Sequence, residues 1–268
     1  MDLIIRNISL FFGENLDYID KGYIIINRGI IKGVGSGDYE GGYDDGPVYE
    51  GEGILACPGF INAHTHIGDS FGKDIGIDSS LETRIHPIHG IKNKILQKSE
   101  RKHLINFMRS SAISMMRNGV VVFADFREGA LQGIDQIKQA TSGLSIKSIV
   151  LGRPEYYYDI SRDFYKNRKF SPGVINLICN ILNLADGLGI SGANENTDSS
   201  LNQYREIIRK KSLKKKYLIG IHASESLETE KKSITVTGKS EVQRIIGNLS
   251  PNFIVHLTNA SDMDIQLV

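Results

Sequence analysis

The sequence predicts an α/β protein of the (β/α)-barrel kind with about six βα units, preceded by a short all-β segment. The 268 residues are 40% hydrophobic and 24% charged, which is the composition of a globular protein with a sizeable core. From residue 54 onward, short apolar runs alternate with amphipathic segments, as in a parallel sheet covered by helices. The first 55 residues instead contain strand-like runs and glycine-rich turns.

The opening segment, residues 1–55, is predicted to be all β. Its runs LIIRNISLFF and GYIIINRGIIKGVG are rich in isoleucine, which suits a half-buried pleated surface. A turn is expected at Asn27-Arg28-Gly29, followed by a polar connection with one short strand near Val48. We therefore treat residues 1–55 and residues 56–268 as two domains.

Strands and helices are expected to alternate in the second domain. Pro58 lacks a backbone donor, so pairing of the first strand is expected to start after it. Ser99 is the expected N-cap of the first long helix, and Gly119 closes that helix. Later strands are expected within 119–126, 145–155, 187–194, 216–226 and 251–260, and helices at 100–118, 129–141, 172–184, 202–211 and 239–248, with a last helix capped by Ser261.

Charge and composition exclude several classes of protein. The formal net charge is +1, so the electrostatic footprint of a dedicated nucleic-acid or membrane-surface binder is absent. No apolar run approaches the roughly 20 residues that span a bilayer, and the N-terminus does not resemble a secretory signal. Cys57 and Cys179 indicate no disulfide framework, so the cytoplasm is the expected compartment. The expected partner is a small-molecule substrate, and neither nucleic acid nor membrane is expected.

His64 and His66 are the first residues with an informative spacing. They lie two residues apart at the end of the first strand of the expected barrel, so both side chains point to the same face. Two imidazoles placed in this way can chelate one divalent metal. By itself the pair is a weak signal, since one exposed and one hydrogen-bonded histidine would give the same pattern.

Two further histidines strengthen the metal interpretation. His222 ends the apolar run YLIGI, and His256 ends the run FIV. The carboxyl ends of barrel strands meet at one mouth, where catalytic residues lie, so these segments are expected to build one site. Glu225 is expected in the loop after His222, where a carboxylate that does not bind metal could carry protons. A solvated loop glutamate is the alternative.

Four other polar residues are candidates for substrate contacts. His86 and His89 lie in the run RIHPIHG, which is either a loop that closes over the mouth or an exposed turn. Asp125 follows the second barrel strand and Glu155 follows the third. Both positions are expected to face the mouth, and structural ion pairs are an equally good explanation of them.

These motifs resemble the amidohydrolase superfamily, in particular its mononuclear deaminase and chlorohydrolase branch of the cytosine deaminase and S-adenosylhomocysteine deaminase type. PGFINAHTHIGDS resembles the first-strand signature, IHASES the His-x-x-Glu segment, and VHLTNAS the later strand that carries a histidine. NRGIIKGVG resembles part of the N-terminal β-sandwich. The resemblance implies a (β/α)8 TIM barrel of the metal-dependent hydrolase type with a small N-terminal β-sandwich portion.

The resemblance also implies roles for individual residues. His64, His66 and His222 would bind one divalent metal, zinc or alternatively iron. Glu225 would be the general acid/base, and His256 would orient water or polarise the scissile group. Binuclear members bridge their metals with a lysine after the fourth strand, and the corresponding segment GISGANENT has none, so a single metal is expected.

The implied reaction is hydrolysis of C–N bonds other than peptide bonds, in particular deamination of a heterocyclic amine by metal-bound hydroxide. Two alternatives are weighed against it. A metallo-β-lactamase-like site would need aspartate and then histidine at the next alternating positions, where the chain has Ile67-Gly68-Asp69-Ser70. A non-catalytic fragment that folds, or that binds metal or a partner without turnover, would also carry these motifs.

The eighth-strand aspartate of the superfamily has no counterpart in the chain. The sequence ends inside the expected sixth helix, where Asp262 and Asp264 are poor substitutes. Residues 56–268 are fewer than the roughly 250 that such a barrel takes. We therefore expect a chain shortened at its C-terminus, a split or frameshifted gene, or completion by a homo-oligomer or a complementing C-terminal segment.

Overall fold

The structure, a computed structural model, describes residues 2–41, 46–166, 168–213 and 215–268. The chain divides into two compact units, Met1–Phe60 and Ile61–Val268. Residues 42–45, which fall within the predicted polar connection, lie outside the described residues.

The first unit is a five-stranded sheet. Its strands are β1 (Asp2–Phe12), β2 (Asp17–Asn27), β3 (Ile30–Ser36), β4 (Val48–Glu50) and β5 (Leu55–Ala56). The order is β3-β2-β1-β4, and β5 also pairs with β1. Arg28 and Gly29 adopt positive φ in the predicted turn between β2 and β3, and Ile4, Ile8 and Leu10 are buried. The described residues of the opening segment form strands and turns, as predicted; their assignment to a β-sandwich domain stays a prediction.

The second unit is built on a six-stranded sheet. Its strands are β6 (Phe60–Thr65), β7 (Val120–Arg127), β8 (Lys147–Gly152), β9 (Gly187–Gly192), β10 (Leu218–Ala223) and β11 (Phe253–His256). The order is β11-β10-β9-β8-β7-β6, so strands that are consecutive in the chain are neighbours in the sheet. Four neighbouring strand pairs are parallel: β7 with β8, β8 with β9, β9 with β10, and β10 with β11. This is the topology of a (β/α) barrel, as predicted.

Helices connect and cover these strands. After a 3-10 helix (Ile67–Gly72) come α1 (Leu81–Ile85), α2 (Ile91–Lys98), α3 (Arg101–Arg117), α4 (Ala130–Thr141), α5 (Ile160–Asp163), α6 (Pro172–Leu184), α7 (Asp198–Lys211), α8 (Leu227–Thr237), α9 (Glu241–Asn248) and α10 (Asp262–Ile265). Several begin at a hydroxyl cap; Ser240, for example, forms a complete capping box with Gln243 at the start of α9. None of the described helices has both the length and the apolar character needed to cross a membrane.

The core of the second unit lies between the sheet and its covering helices. Phe123 on β7 and Ile221 on β10 are fully buried, as are Ile137 on α4, Ile181 on α6 and Ile245 on α9. Burying each such side chain contributes roughly 1.5–3 kcal/mol. The apolar runs that predicted strands and amphipathic helices are therefore the ones that form the core.

The segment between β6 and β7 is more helical than predicted. Ser99 is the C-cap of α2, while Glu100 precedes α3 and makes no side-chain cap hydrogen bond. The Ser99 hydroxyl instead donates to the carbonyl of Ile95 in the preceding helix, so it is not free to cap the next one. Helix α8 is also missing from the prediction, because LETEKKSITVT contains β-branched residues that are weak helix formers.

The six-stranded sheet is nearly closed at the carboxyl ends of its strands. His64 on β6 and His256 on β11 belong to the two edge strands, and their ring centroids are 5.2 Å apart. Phe126 on β7 and Phe253 on β11 also touch, with ring centroids 5.9 Å apart. The strand ends therefore converge on one mouth, as expected for a barrel.

Candidate metal centre and active site

A cavity of about 250 Å³ opens at the carboxyl ends of the strands. The side chains that line it include His64, His66, His222, Glu225 and His256. The structure thus brings together the five residues predicted to carry metal binding and catalysis. We call this space the histidine cavity.

The Nε2 atoms of His64, His66 and His222 form a nearly equilateral triangle. Each of the three Nε2–Nε2 distances is 3.1 Å. His64 lies in β6 and His66 is the first residue after it, two positions further along the chain, and their Nε2 atoms meet on the same side. His222 comes from β10, 158 residues after His64, so only the tertiary structure completes the triangle.

The Nδ1 atoms of two of these rings donate hydrogen bonds. His66 Nδ1 donates to Glu128 Oε1 (3.1 Å), and His222 Nδ1 donates to the backbone oxygen of Ser191 (2.6 Å). Because carboxylate and carbonyl oxygens only accept, the proton of each neutral ring lies on Nδ1. The Nε2 lone pairs of His66 and His222 therefore converge on one point, an arrangement that a cation at that point stabilises.

The pKa values of all three imidazoles lie below the usual value for histidine. Burial, together with the neighbouring His66, lowers the pKa of His64 to about 4. Burial also lowers the pKa of His66 against the opposing effect of Glu128, and it lowers the pKa of His222 well below the ordinary range. The neutral imidazole is the form that binds metal, so the three rings are in that form at neutral pH.

This donor set fits a divalent metal ion. Three nitrogens bound at 2.0–2.1 Å to one tetrahedral zinc ion would lie about 3.3–3.4 Å apart, close to the observed 3.1 Å. Imidazole ligands suit zinc and also iron. Hydrogen bonds from the outer ring nitrogens to a carboxylate or a carbonyl are the usual support of metal-binding histidines. The residues present are therefore those that a single metal site requires.

Glu225 and His256 face each other beside the three histidines. Glu225 Oε2 lies 3.4 Å from His256 Nε2. The backbone carbonyl of Glu225 accepts hydrogen bonds from Thr258 and Asn259, which tie the loop after β10 to the loop after β11. His256 and Leu257 have φ of 78° and 58°, a conformation that is unfavourable for residues other than glycine. The surrounding loops thus hold a strained backbone at the position of His256.

Glu128 links the three clustered histidines to a buried ion cluster. Besides His66, its carboxylate contacts Lys92 Nζ (2.7 Å), Arg153 Nη1 (3.5 Å) and Arg127 Nη2. Burial by itself would raise the pKa of Glu128, but these three cations hold that pKa well below its usual range. The only signal for Glu128 in the sequence is its position just after β7, because its partners come from other elements.

His86 and His89 form a separate pair near the mouth. His86 lines the histidine cavity from the end of α1, and the ring of His89 stacks on it with a centroid distance of 3.6 Å. With Glu82 they form a second group whose potential ligand atoms lie within 4.8 Å of one another. His86 Nδ1 accepts the backbone N–H of Ile88, so in the neutral ring the proton lies on Nε2. This tautomer does not favour a metal here, and His86 stays a candidate for substrate contact.

Asp125 and Glu155 lie away from the histidine cavity. Asp125 is fully buried, and its Oδ1 accepts the backbone N–H of Ile67 (2.7 Å) and the hydroxyl of Thr65. Glu155 accepts the backbone N–H of Gly129 (2.6 Å) and lines a different cavity. Neither residue is among those that line the histidine cavity, and the substrate contacts expected of them stay a prediction.

Two glutamates that the sequence analysis did not select line the histidine cavity. Glu195 follows β9, and Glu241 is the first residue of α9. Glu241 Oε2 accepts the backbone N–H of Ser224 (2.8 Å). Burial raises the pKa of Glu241 to about 7, and it also raises the pKa of Glu195. No local pattern distinguishes them from solvated glutamates, because loop packing alone buries them.

A sequence profile described as the amidohydrolase family matches residues 55–251 of the chain. A putative aminohydrolase from Methanothermobacter thermautotrophicus is 32% identical over 266 residues, which make up 99% of this chain and 65% of that protein. The chain thus spans less than two thirds of the length of this relative.

Two further similarities concern deaminases. A 5-methylthioadenosine/S-adenosylhomocysteine deaminase from Clostridium tetani is 32% identical over 130 residues, which are 47% of this chain and 29% of that protein. An adenosine deaminase from Xanthomonas campestris, solved with bound zinc, matches with a TM-score of 0.73 and 15% identity, covering 99% of this chain and 60% of that chain. At this identity the structural match supports the fold alone.

Proposed function

Because the chain belongs to the amidohydrolase family, we propose that it catalyses metal-dependent hydrolysis of C–N bonds other than peptide bonds, and more narrowly the deamination of a heterocyclic amine. The observation that carries this proposal is the triangle of Nε2 atoms with the Glu225–His256 pair beside it. Such a reaction needs a Lewis acid and a proton carrier at one place. Both sets of side chains line the histidine cavity.

In this proposal His64, His66 and His222 hold one divalent metal, zinc by preference and iron as the alternative. When bound, the metal supplies the Lewis acidity that makes water a competent nucleophile at neutral pH. The protein keeps the three imidazoles neutral through burial. Glu128 and Ser191 orient the rings of His66 and His222 through their Nδ1 protons.

Glu225 is the proposed proton carrier. Its carboxylate takes a proton from the attacking water and passes it to a ring nitrogen of the substrate and then to the departing amine, so that ammonia leaves. His256, whose Nε2 lies 3.4 Å from Glu225, stabilises the charge that develops on the attacked group. The hydrogen bonds from Thr258 and Asn259 to the Glu225 carbonyl support this pairing.

Purine nucleosides are the substrates that we propose to test first. A relative is named as a deaminase of 5-methylthioadenosine and S-adenosylhomocysteine, and a structural neighbour is named as an adenosine deaminase. The histidine cavity, at about 250 Å³, has room for a heterocycle. Its walls carry acidic and basic side chains, including Glu195 and Arg153, that could orient polar groups on the substrate.

The first part of the test is the metal content of the purified 268-residue protein, measured by elemental analysis. We expect close to one equivalent of zinc or iron per chain and its loss in His222→Ala. His103→Ala is the matched control, because His103 lies on α3 and packs against Phe71 and Phe107. If the protein binds no metal even after reconstitution, the proposed metal site is wrong.

The second part is ammonia release from 5-methylthioadenosine. Glu225→Gln should lower turnover about 10²- to 10⁴-fold and leave the metal content unchanged. Glu206→Gln is the control, since Glu206 forms an exposed ion pair with Arg209 on α7. Full activity of Glu225→Gln would remove this residue from the mechanism. Metal binding with no turnover of any purine nucleoside would favour the non-catalytic alternative.

A further inference from the structure

A second cavity, of about 280 Å³, lies beside helices α3 and α4. Leu104 and Met108 of α3 line it, as do Gln132 and Gln136 of α4. Of the residues that the structure describes, none of the metal-site histidines lines this space. We call it the glutamine cavity, and the proposed hydrolysis assigns it no role.

The glutamine cavity adjoins the histidine cavity at the ion cluster around Glu128. Lys92 and Arg153 line both cavities. Lys92 pairs with Asp69 (2.9 Å) as well as Glu128, and Arg153 pairs with Glu128. Each of these two cations therefore has a carboxylate partner within the described part of the chain. The charge of the cavity wall thus gives no preference for an anion.

Gln136 is the residue that points to a ligand. It is only 8% exposed and lines the glutamine cavity, and its side chain makes no hydrogen bond with any residue that the structure describes. Gln136 is not among the residues whose side-chain polar atoms are both fully buried and unpartnered, so water in the cavity can reach its amide. A ligand that makes hydrogen bonds to the amide can take the place of that water. The amide is therefore available to a partner that enters the cavity.

The shape and chemistry of the cavity indicate the class of ligand. Gln132 and Gln136 are one helical turn apart and lie on the same face of α4, and each amide presents a donor next to an acceptor. Leu104 and Met108 supply an apolar surface. Arg153 Nε, which is buried and has no acceptor among the described residues, adds a donor. A flat, neutral molecule whose edge carries a donor beside an acceptor satisfies all these groups.

We propose that the glutamine cavity is a binding site for a neutral planar carboxamide or lactam, held by Gln136 and Gln132 and distinct from the metal site. Benzamide is the probe, and acetophenone, which has the carbonyl but no N–H donor, is its matched control. Binding is measured by titration calorimetry and ligand-observed NMR on metal-free protein, so the result does not depend on the proposed reaction.

We expect the wild-type protein to bind benzamide about 3- to 10-fold more tightly than acetophenone, which is the effect of one neutral hydrogen bond. Gln136→Leu should bind the two probes equally. Gln139→Leu should keep the preference, because Gln139 lies on the exposed side of α4 and bonds to Asp135. Equal binding of both probes to the wild type would overturn the proposal. So would loss of benzamide binding in His222→Ala, since that result would place the probe in the histidine cavity.

Thermal unfolding of the ligand-free protein gives a second readout. Gln136→Leu should unfold at the same temperature as the wild type or at a higher one, because the glutamine side chain makes no hydrogen bond to the described residues and leucine buries more apolar surface. Gln139→Leu should leave the unfolding temperature nearly unchanged. A clear fall in the unfolding temperature of Gln136→Leu, with the benzamide preference intact, would show that Gln136 serves the fold and not a ligand.

Discussion

Glu128 shows, at the scale of one residue, how charge pairing orients a proposed metal ligand. A buried carboxylate without partners tends to take up a proton. Lys92, 2.7 Å away, and the neighbouring arginines instead keep Glu128 ionised. The ionised carboxylate accepts the Nδ1 proton of His66, and this turns Nε2 of that ring toward the other two histidines. Glu128 is in this sense a positioning residue.

Glu128→Gln should weaken zinc binding about 10- to 100-fold, the usual effect of losing a carboxylate that supports a metal-binding histidine. The neutral amide is a poorer acceptor for the His66 N–H, and it leaves Lys92 less well paired. The affinity is measured by competition with a coloured chelator. Glu155→Gln removes a nearby carboxylate whose partners are Gly129 and Tyr157, so it should bind zinc normally. Unchanged affinity in Glu128→Gln would mean that β6 alone orients His66.

Glu241 makes stability depend on pH. Burial raises its pKa from 4.5 to about 7, and the nearby Glu195 and Glu230 act in the same direction. Between these two pH values the unfolded chain loses the Glu241 proton while the folded protein keeps it. The folded state therefore binds more protons in this window, and stability falls as pH rises through it. Above about pH 7 the stability that the protonated Glu241 contributes is fully lost.

Glu241→Gln should flatten this part of the pH profile. The free energy of unfolding, measured by urea titration at pH 5 and pH 7.5, should fall less in the variant than in the wild type, by on the order of 3 kcal/mol. Glutamine can still accept the Ser224 N–H, so the local hydrogen bond is kept. Glu206→Gln, at an exposed site, should reproduce the wild-type profile. Equal pH dependence in the wild type and Glu241→Gln would show that Glu241 is ionised in the folded protein.

At the scale of the element, glycine allows β9 and β10 to pair closely. A Cβ on Gly187 would lie 1.8 Å from the backbone oxygen of Leu218, the residue that pairs with it in β10. Backbone cannot move aside as a flexible side chain can. The absence of a side chain at Gly187 is therefore a condition for the pairing that carries His222 to the mouth of the barrel.

Gly187→Ala should destabilise the protein by about 2 kcal/mol or more, since overpacking at this point separates two core strands. Gly247→Ala is the matched substitution, and it should have the opposite effect on stability. Gly247 lies within α9, and a Cβ there meets no atom of the described residues within 4 Å, so alanine should raise stability by up to about 1 kcal/mol. Urea unfolding of both variants provides the measurement. A Gly187→Ala variant as stable as the wild type would refute the close approach of the two strands.

At the scale of the whole chain, the barrel brings distant segments to one point. His64 and His222 are 158 residues apart in sequence, and their Nε2 atoms are 3.1 Å apart. A metal held by both would tie β6 to β10, so it would bind the folded chain much more tightly than the unfolded one. Ligands of this kind raise stability by mass action.

Zinc should therefore raise the unfolding temperature of metal-free protein. At a free concentration about 100 times the dissociation constant, the expected gain is about 2.7 kcal/mol. Differential scanning fluorimetry with and without zinc measures the shift, and His222→Ala should show none. His103→Ala should respond like the wild type. A zinc-induced shift that persists in His222→Ala would place the stabilising metal elsewhere.

Much of the fold was predictable because local patterns determine it. The bounds of α6 were predicted as observed, since Pro172 and the apolar periodicity mark its start and its length. Helix α7 begins at Asp198, four positions before the predicted Asn202, because its first turn, DSSL, is polar and resembles a loop. The cap at Ser99 was assigned to the wrong helix, because a hydroxyl can serve either of two adjacent helix ends.

The sequence by itself determined the barrel topology and the candidate residues His64, His66, His222, Glu225 and His256. Apolar runs that end in histidine are local signals, and parallel strands place their carboxyl ends together. Only the tertiary structure decided which other side chains surround these five residues. Glu128 is paired with Lys92 of α2, and Gln136 lines a cavity together with residues of α3, so both depend on elements elsewhere in the chain. Electrostatics and burial act through space, so no local pattern records them.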